Sequence, residues 1–369
     1  MNTNNAVTLK TTEDVKALER EMRFYNRFTK PDFKWQTNQL VKANLADVFR
    51  LEDAGWDLPD AFLPYDRKHI PNDLLVDRDK DYKFDPLLIR RIMGALAIGK
   101  PIMLAGPQGC GKTTTFEQFY AHLGLPCAIV QCTSSMDSDY LFGFSSLVSK
   151  DGATASQFLY GQLTGTRVGH VNLLLDEVTH LNSYVSPDLN RFLEMKSDIR
   201  LTGEGFNVDS ESQIVKATPF QDVWMTSNTG GREEADAGFV GNSALSTATL
   251  DRPVMIDVDY LSPEMEKEVF LKKVAGGHDW IESTIKFANL IREAYKGSRL
   301  PKSMSTRSGL DFMNYLYHVN DISTAFCDTI LAKYDESDRQ LVVDLFSTVF
   351  DLNGKSLVIP SNLIQNQND

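Results

Sequence analysis

The chain has 369 residues, 42% of them hydrophobic, which is enough for two or three ordinary domains and a core that needs no staples. Its net charge is −12, with a pI near 5.1, which argues against a protein that coats nucleic acid or an anionic membrane. The four cysteines, Cys110, Cys127, Cys132 and Cys327, show neither metal spacing nor a disulfide framework. No apolar run approaches the length of a membrane span, and the polar start MNTNNAVTLKTTEDV lacks a signal core, so a cytoplasmic protein is expected.

In chain order, residues 1–84 read as an N-terminal region. A helical period covers Glu13 to Phe28, a second short helix is expected over Leu40 to Phe49, and the proline-rich stretch Asp53 to Asp81 reads as an irregular wrap. Asp85-Pro86 starts a helix running to Ile98, with Asp as cap and Pro at the first position. Residues 85–260 then alternate strand and helix, the pattern of an α/β domain built on a parallel sheet. The predicted strands are Pro101–Ala105, Cys127–Cys132, Val171–Leu175, Val223–Thr226 and Val254–Val258. Arg200 to Val215 alternates around two glycines, as a β-hairpin insert would. Residues 261–355 are almost purely helical in pattern, an all-helical lid domain, and 356–369 form a polar tail.

The first predicted strand runs into Gly106-Pro107-Gln108-Gly109-Cys110-Gly111-Lys112-Thr113, which satisfies the phosphate-loop pattern and is followed by a helix from Thr114. Glycines let the backbone approach a phosphate chain, and successive N–H groups together with the helix N-terminus attract it. Lys112 is placed to reach the β- and γ-phosphates of ATP, and the Thr113 hydroxyl to ligate Mg2+. The apolar strand Val171–Leu175 ends in Asp176-Glu177. A carboxylate pair at the carboxyl end of a buried strand suits magnesium binding by Asp176 and polarisation of an attacking water by Glu177.

Further along, Met225-Thr226-Ser227-Asn228-Thr229 ends a strand in polar residues. Asn228 can orient the water or act as a turn former. Arg252, in Leu250-Asp251-Arg252, can pair with Asp251 or project into a neighbour's nucleotide. Arg307, in Ser305-Thr306-Arg307, stands at a helix start from which it can reach back to phosphates, or is a surface residue. The aromatic residues Phe142 and Phe144 can face a pore or belong to a core, and Lys100, Lys150 and Arg167 are further candidates to line a pore.

With these residues laid out, the chain resembles the AAA+ ATPases, and within them the CobS-like group (the ATPase subunit of aerobic cobaltochelatase), which is related to the MoxR group. The similarity runs from about residue 55 to 352, through Phe84–Gly111, Asp139–Gly161 and the motifs above in family order, and includes Ile70-Pro71. The resemblance implies that Gly106 to Thr114 bind nucleotide, that Asp176 and Glu177 are Walker B, Asn228 sensor 1, Arg252 a trans-acting finger and Arg307 sensor 2. It implies a hexameric ring with a partner carrying a von Willebrand factor A domain. Cys110 departs from the usual threonine, at a position that contributes mainly backbone. The expected function is a magnesium-dependent ATPase that remodels or powers a partner. A nucleotide-gated scaffold with little turnover and a nucleic-acid motor are the alternatives.

Overall fold

The structure, a computed structural model, describes residues 6–8, 39–51, 60–64, 72–150, 153–201, 214–217, 221–231, 245–350, 357–360 and 363. The chain divides into two compact units. One comprises residues 1–80, 84–106 and 112–258; the other 81–83, 107–111 and 259–369.

The first unit opens with strands β1 (Ala6–Thr8), β2 (Gln39–Asn44) and β3 (Asp60–Pro64), paired antiparallel in that order, and helix α1 (Leu45–Phe49). This corrects two expectations. Residues 40–44 are strand rather than helix, and the wrap contains a strand of its own. A run this short is ambiguous by periodicity, and the partner at Ala61, opposite Ala43, decides it. Asn44 ends β2 and caps α1, its side chain accepting from the Ala46 amide at 2.8 Å. The helix expected over Glu13 to Phe28 and the Ile70-Pro71 pair lie outside the described residues.

The remaining elements of this unit follow the alternation read from the sequence, except for the two consecutive strands Gly143–Lys150 and Ala153–Tyr160, which it did not anticipate. They are α2 (Pro86–Ala97), β4 (Ile102–Ala105), α3 (Lys112–Leu123), β5 (Cys127–Gln131), α4 (Ser138–Phe142), β6 (Gly143–Lys150), β7 (Ala153–Tyr160) and α5 (Gln162–Val168). Then come β8 (Asn172–Asp176), α6 (Ser186–Leu193), β9 (Ile199–Arg200), β10 (Ile214–Val215), β11 (Val223–Ser227), α7 (Thr247–Leu250) and β12 (Val254–Asp257). Five strands form one parallel sheet in the order β12-β4-β11-β8-β5. Its central strands are apolar without alternation because both faces are covered: Ile102, Met103, Leu104, Leu173, Leu174 and Leu175 are all fully buried. β6 and β7 make a separate antiparallel hairpin, and β9 pairs with β10 as the base of the predicted insert, whose intervening residues are not described.

Aromatic residues fasten the N-terminal segment to the loop helix. Phe49 of α1 stacks on Phe119 of α3 at 5.0 Å and takes Phe84 edge-on at 5.0 Å, while Trp224 of β11 packs on Phe116 and Phe119 from the sheet side. Such ring pairs contribute about 0.5–1.5 kcal/mol each beyond the area they bury. Arg167 is not a pore residue. It is 1% exposed, its Nη2 donates to the Phe192 carbonyl at 2.6 Å, and its guanidinium lies over the Phe192 ring. Burial lowers its pKa to about 10, which leaves it charged at neutral pH.

The second unit carries helices α8 (Pro263–Lys273), α9 (Ile281–Lys296), α10 (Thr306–Val319), α11 (Ile322–Thr329) and α12 (Glu336–Val349). Phe270, Phe287, Phe312, Phe326, Phe346 and Phe350 fill its core. Within the stretch expected to be almost purely helical, α11 ends at Thr329 and a 3₁₀ turn covers Leu331–Lys333. Among the described residues no helix is long and apolar enough to cross a membrane.

Candidate nucleotide site

Sheet register places the site. Thr226 of β11 lies beside Leu104 of β4, Ser227 beside Ala105, and Gln131 of β5 beside Asp176 of β8. The carboxyl ends of four strands therefore end level, and the loop Gly106–Gly111 leaves from β4 on that edge, the edge at which ligands bind in open parallel sheets. The Gly106 amide continues the ladder, donating to the Ser227 carbonyl at 3.2 Å.

Lys112 begins α3 and is 7% exposed. Its Nζ donates to the Gly106 carbonyl at 2.7 Å and to Asn228 Oδ1 at 2.8 Å. The ammonium thus meets two neutral acceptors, the Gly106 carbonyl and the Asn228 side chain. Next to it, the Thr113 hydroxyl donates to Asp176 Oδ1 at 3.0 Å. That carboxylate oxygen also accepts from Thr226 Oγ1 at 2.6 Å, and Thr226 Oγ1 in turn accepts from the Glu177 amide at 2.8 Å. Thr226 is fully buried. It orients both members of the carboxylate pair, a role that strand patterning did not single out.

Glu177 has φ 54, in the left-handed region, uncommon for a residue with a side chain. Its backbone turns away from the sheet there. Its carboxylate meets three side chains: Gln131 Nε2 at 3.3 Å, Asn228 Nδ2 at 3.4 Å and His180 Nδ1 at 3.1 Å. Gln131 and His180 escaped the sequence reading. Gln131 enters through register alone, and His180 through the 3₁₀ turn Val178–His180 that follows Glu177. One turn along α3 from Thr113, Glu117 has its carboxyl pKa raised, first by burial and then by the charge of Asp176. Burial, with the nearby charges of Asp176 and Glu177, pushes the Cys132 thiol up to about 12.

Arg252 is not paired with Asp251. Its Nε donates to the Asn190 carbonyl at 2.9 Å, its Nη1 to the Ala248 carbonyl, and its Nη2 meets Glu194 Oε1 at 3.0 Å. All three partners lie in or beside α6 and α7, so the guanidinium is tethered within its own protomer. Phe142 packs edge-on against Phe192, on the core side, whereas Phe144 in β6 is 46% exposed.

In the second unit, the loop tip and the start of α10 are described together. Gly109 and Gly111 have φ of 74 and 93, values that disfavour any other residue. A Cβ on Gly109 would fall 2.4 Å from Ser305 Cβ, so glycine is also required sterically. Ser305 caps α10, and Arg307 is exposed in its first turn.

The donor set suits a nucleotide with magnesium. One hydroxyl and one carboxylate offer hard oxygens and leave further coordination positions for phosphate oxygens and water, the usual arrangement for this ion. Loop amides and Lys112 supply the positive field for the phosphate chain.

Several known proteins are similar to this chain. Residues 101–246 match the AAA domain (dynein-related subfamily). The chain is 28% identical to the aerobic cobaltochelatase subunit CobS of Sinorhizobium sp over 285 residues, 76% of this chain and 84% of that one. It is 25% identical to the uncharacterized protein YojN of Bacillus subtilis (strain 168) over 262 residues, 70% of this chain and 80% of that one. Among solved structures, a mutant RuvB of Thermotoga maritima aligns at 14% identity and a TM-score of 0.39, over 68% of this chain and 71% of that chain.

Proposed function

We propose that this chain, an AAA+ ATPase similar to the CobS and MoxR-related group, hydrolyses ATP with Mg2+ as a homo-oligomeric ring and uses the cycle to remodel or power a partner protein. The observation that carries the reading is the meeting of Thr113 and Asp176 at 3.0 Å, with Glu177 next in the chain and Lys112 one residue before Thr113.

Bound magnesium would neutralise charge on the phosphate oxygens. The chain's own residues do the rest. Loop amides and Lys112 hold the phosphate chain. Thr113 and Asp176 hold the ion, directly or through water. Glu177 accepts the proton of the attacking water, and Asn228, already within reach of Glu177, orients it. Arg307 is assigned to the γ-phosphate. Arg252 is assigned to a neighbour's nucleotide, where an arginine offsets the charge that grows in the transition state. A hexamer is the expected ring, and a protein with a von Willebrand factor A domain the expected partner, both by analogy with the CobS-like group. Exposed Phe144 is a candidate partner contact. The cytoplasm is the proposed compartment.

The test is magnesium-dependent ATP hydrolysis at protein concentrations where rings form. Wild type is expected to turn over, while Glu177→Gln binds ATP and assembles but loses about a hundredfold or more in rate. No turnover by wild type rings, alone or with the partner, rejects the assignment. A second reading, a nucleotide-gated scaffold with little turnover, is favoured by the restraint of Glu177 by Gln131 and His180. ATP-dependent assembly without hydrolysis would select it.

A further inference from the structure

The second unit contains a polar relay that the nucleotide chemistry above does not use. At one end is the loop tip, where Tyr260 donates its hydroxyl to the Gln108 carbonyl at 3.1 Å. The Tyr260 ring lies against the Arg292 guanidinium, 4.2 Å from Cζ to the ring centroid. Arg292 is 5% exposed and pairs in a fork with Glu266, which is 0% exposed, at 2.8 and 2.7 Å. The far end is the start of α10. Arg292 Nε donates to the Met304 carbonyl at 2.9 Å, and Thr306 Oγ1 donates to Glu266 Oε1 at 2.7 Å. Asn289 Oδ1 takes a further Arg292 proton at 2.9 Å.

A buried ion pair of this kind is weak evidence for stability, because desolvation offsets much of its attraction. What it supplies is geometry. Every N–H and O–H named has a defined acceptor, so the residues just before Arg307 are fixed to a single frame. Tyr260 hydrogen-bonds the phosphate loop at Gln108, while Ser305 packs beside Gly109.

We infer that Tyr260 is a positioning residue that couples nucleotide occupancy of the loop tip to the order of the first turn of α10, and hence to the aim of Arg307, through Arg292 and Glu266. The inference rests on the reading that the loop binds ATP. It needs no direct contact between nucleotide and α10. When phosphates dock on the loop amides, the Gln108 peptide is held in one orientation, and its carbonyl keeps the Tyr260 hydroxyl. Tyr260 then keeps its face on Arg292, and Arg292 keeps the Met304 carbonyl.

The experiment is amide hydrogen exchange over residues 305–309 with and without MgATP, in the full chain. Wild type, Tyr260→Phe, Thr306→Val and Arg307→Ala are compared at saturating nucleotide. Tyr260→Phe keeps the ring on Arg292 and removes only the hydroxyl. In wild type, MgATP is expected to slow exchange of this turn by about two- to tenfold, the range for one or two hydrogen bonds. The slowing is expected to disappear in Tyr260→Phe and Thr306→Val, whose melting and circular dichroism stay close to wild type, and to persist in Arg307→Ala. Slowing retained in Tyr260→Phe, absent in wild type that binds MgATP, or lost in Arg307→Ala overturns the relay; in the last case the arginine itself carries the order. A wild type chain that binds no MgATP rejects the nucleotide assignment, and the relay with it.

Discussion

Lys112 Nζ lies 2.8 Å from Asn228 Oδ1, and the amide nitrogen of the same Asn228 lies 3.4 Å from Glu177 Oε1. One side chain thus bridges the residue assigned to the phosphates and the residue assigned to the water. The ammonium has three N–H donors, and Asn228 competes with a phosphate for one of them. Replacing Asn228 by Ala therefore removes a competitor for Lys112 while leaving Glu177 less well placed. Asn228→Ala is expected to bind ATP at least as tightly as wild type and to turn it over about ten- to a hundredfold more slowly, the range for a hydrogen bond to a charged group. Calorimetric binding and steady-state turnover measured on one preparation check both halves.

Thr226 makes a second prediction. Its hydroxyl is the shared point between Asp176 Oδ1 and the Glu177 amide. Thr226→Val keeps the shape and removes both bonds, leaving the part-buried Glu177 N–H without this acceptor, a loss of up to about 1–3 kcal/mol. The magnesium concentration for half-maximal hydrolysis is expected to rise and the maximal rate to fall. Thr226→Ser is expected to restore both. A magnesium titration of the two variants distinguishes orientation of Asp176 from a general packing defect, which Ser would not repair.

The tether of Arg252 to Glu194 and the Asn190 carbonyl bears on the ring. If Arg252 acts across an interface, two inactive variants can complement each other. Protomers of Glu177→Gln supply arginines to intact sites in Arg252→Ala protomers. Each alone is expected to be nearly inactive, and an equimolar mixture to recover about a quarter of wild-type activity, since a head-to-tail interface draws one side from each copy. No recovery, in mixtures whose subunits are shown to exchange, would place Arg252 in its own protomer's structure only.

His122 sets a pH dependence. It is 1% exposed, at the end of α3, with Nδ1 2.8 Å from the Gln118 carbonyl and its ring edge-on to Phe84. Burial lowers its pKa to about 4. Unfolded, it titrates near 6.5, so between these values the unfolded chain binds the extra proton. The stability it allows is intact above pH 6.5 and is lost as pH falls towards 4, by up to about 1.4 kcal/mol per unit. His122→Asn keeps an N–H for Gln118 and does not titrate. Its melting temperature is expected to fall less steeply than that of wild type from about pH 6.5 to 4.5; parallel curves would refute the assignment.

The residues that a local pattern marks were legible in the chain itself. A phosphate loop needs glycines at Gly109 and Gly111 because their φ is positive, and Lys112 and Thr113 follow by covalent spacing. A strand buried on both faces must read as Leu173-Leu174-Leu175, and the carboxylates after it fall at the sheet edge whatever surrounds them. The alternation of strand and helix, and then helix alone, follows from the same periodicities. Contacts across the fold were not legible. Gln131 and Thr226 reach the carboxylate pair because β5 and β11 flank β8 in a register that only the assembled sheet sets. Arg167, which as a bare basic residue suits a surface, is drawn inside by the Phe192 ring and carbonyl. Leu40 to Asn44 is strand because a partner arrives from residues 60–64. In each case the deciding partner is distant in sequence, and the energy that selects it comes from burial and hydrogen bonding shared between elements. Spacing along one element carries no record of that choice.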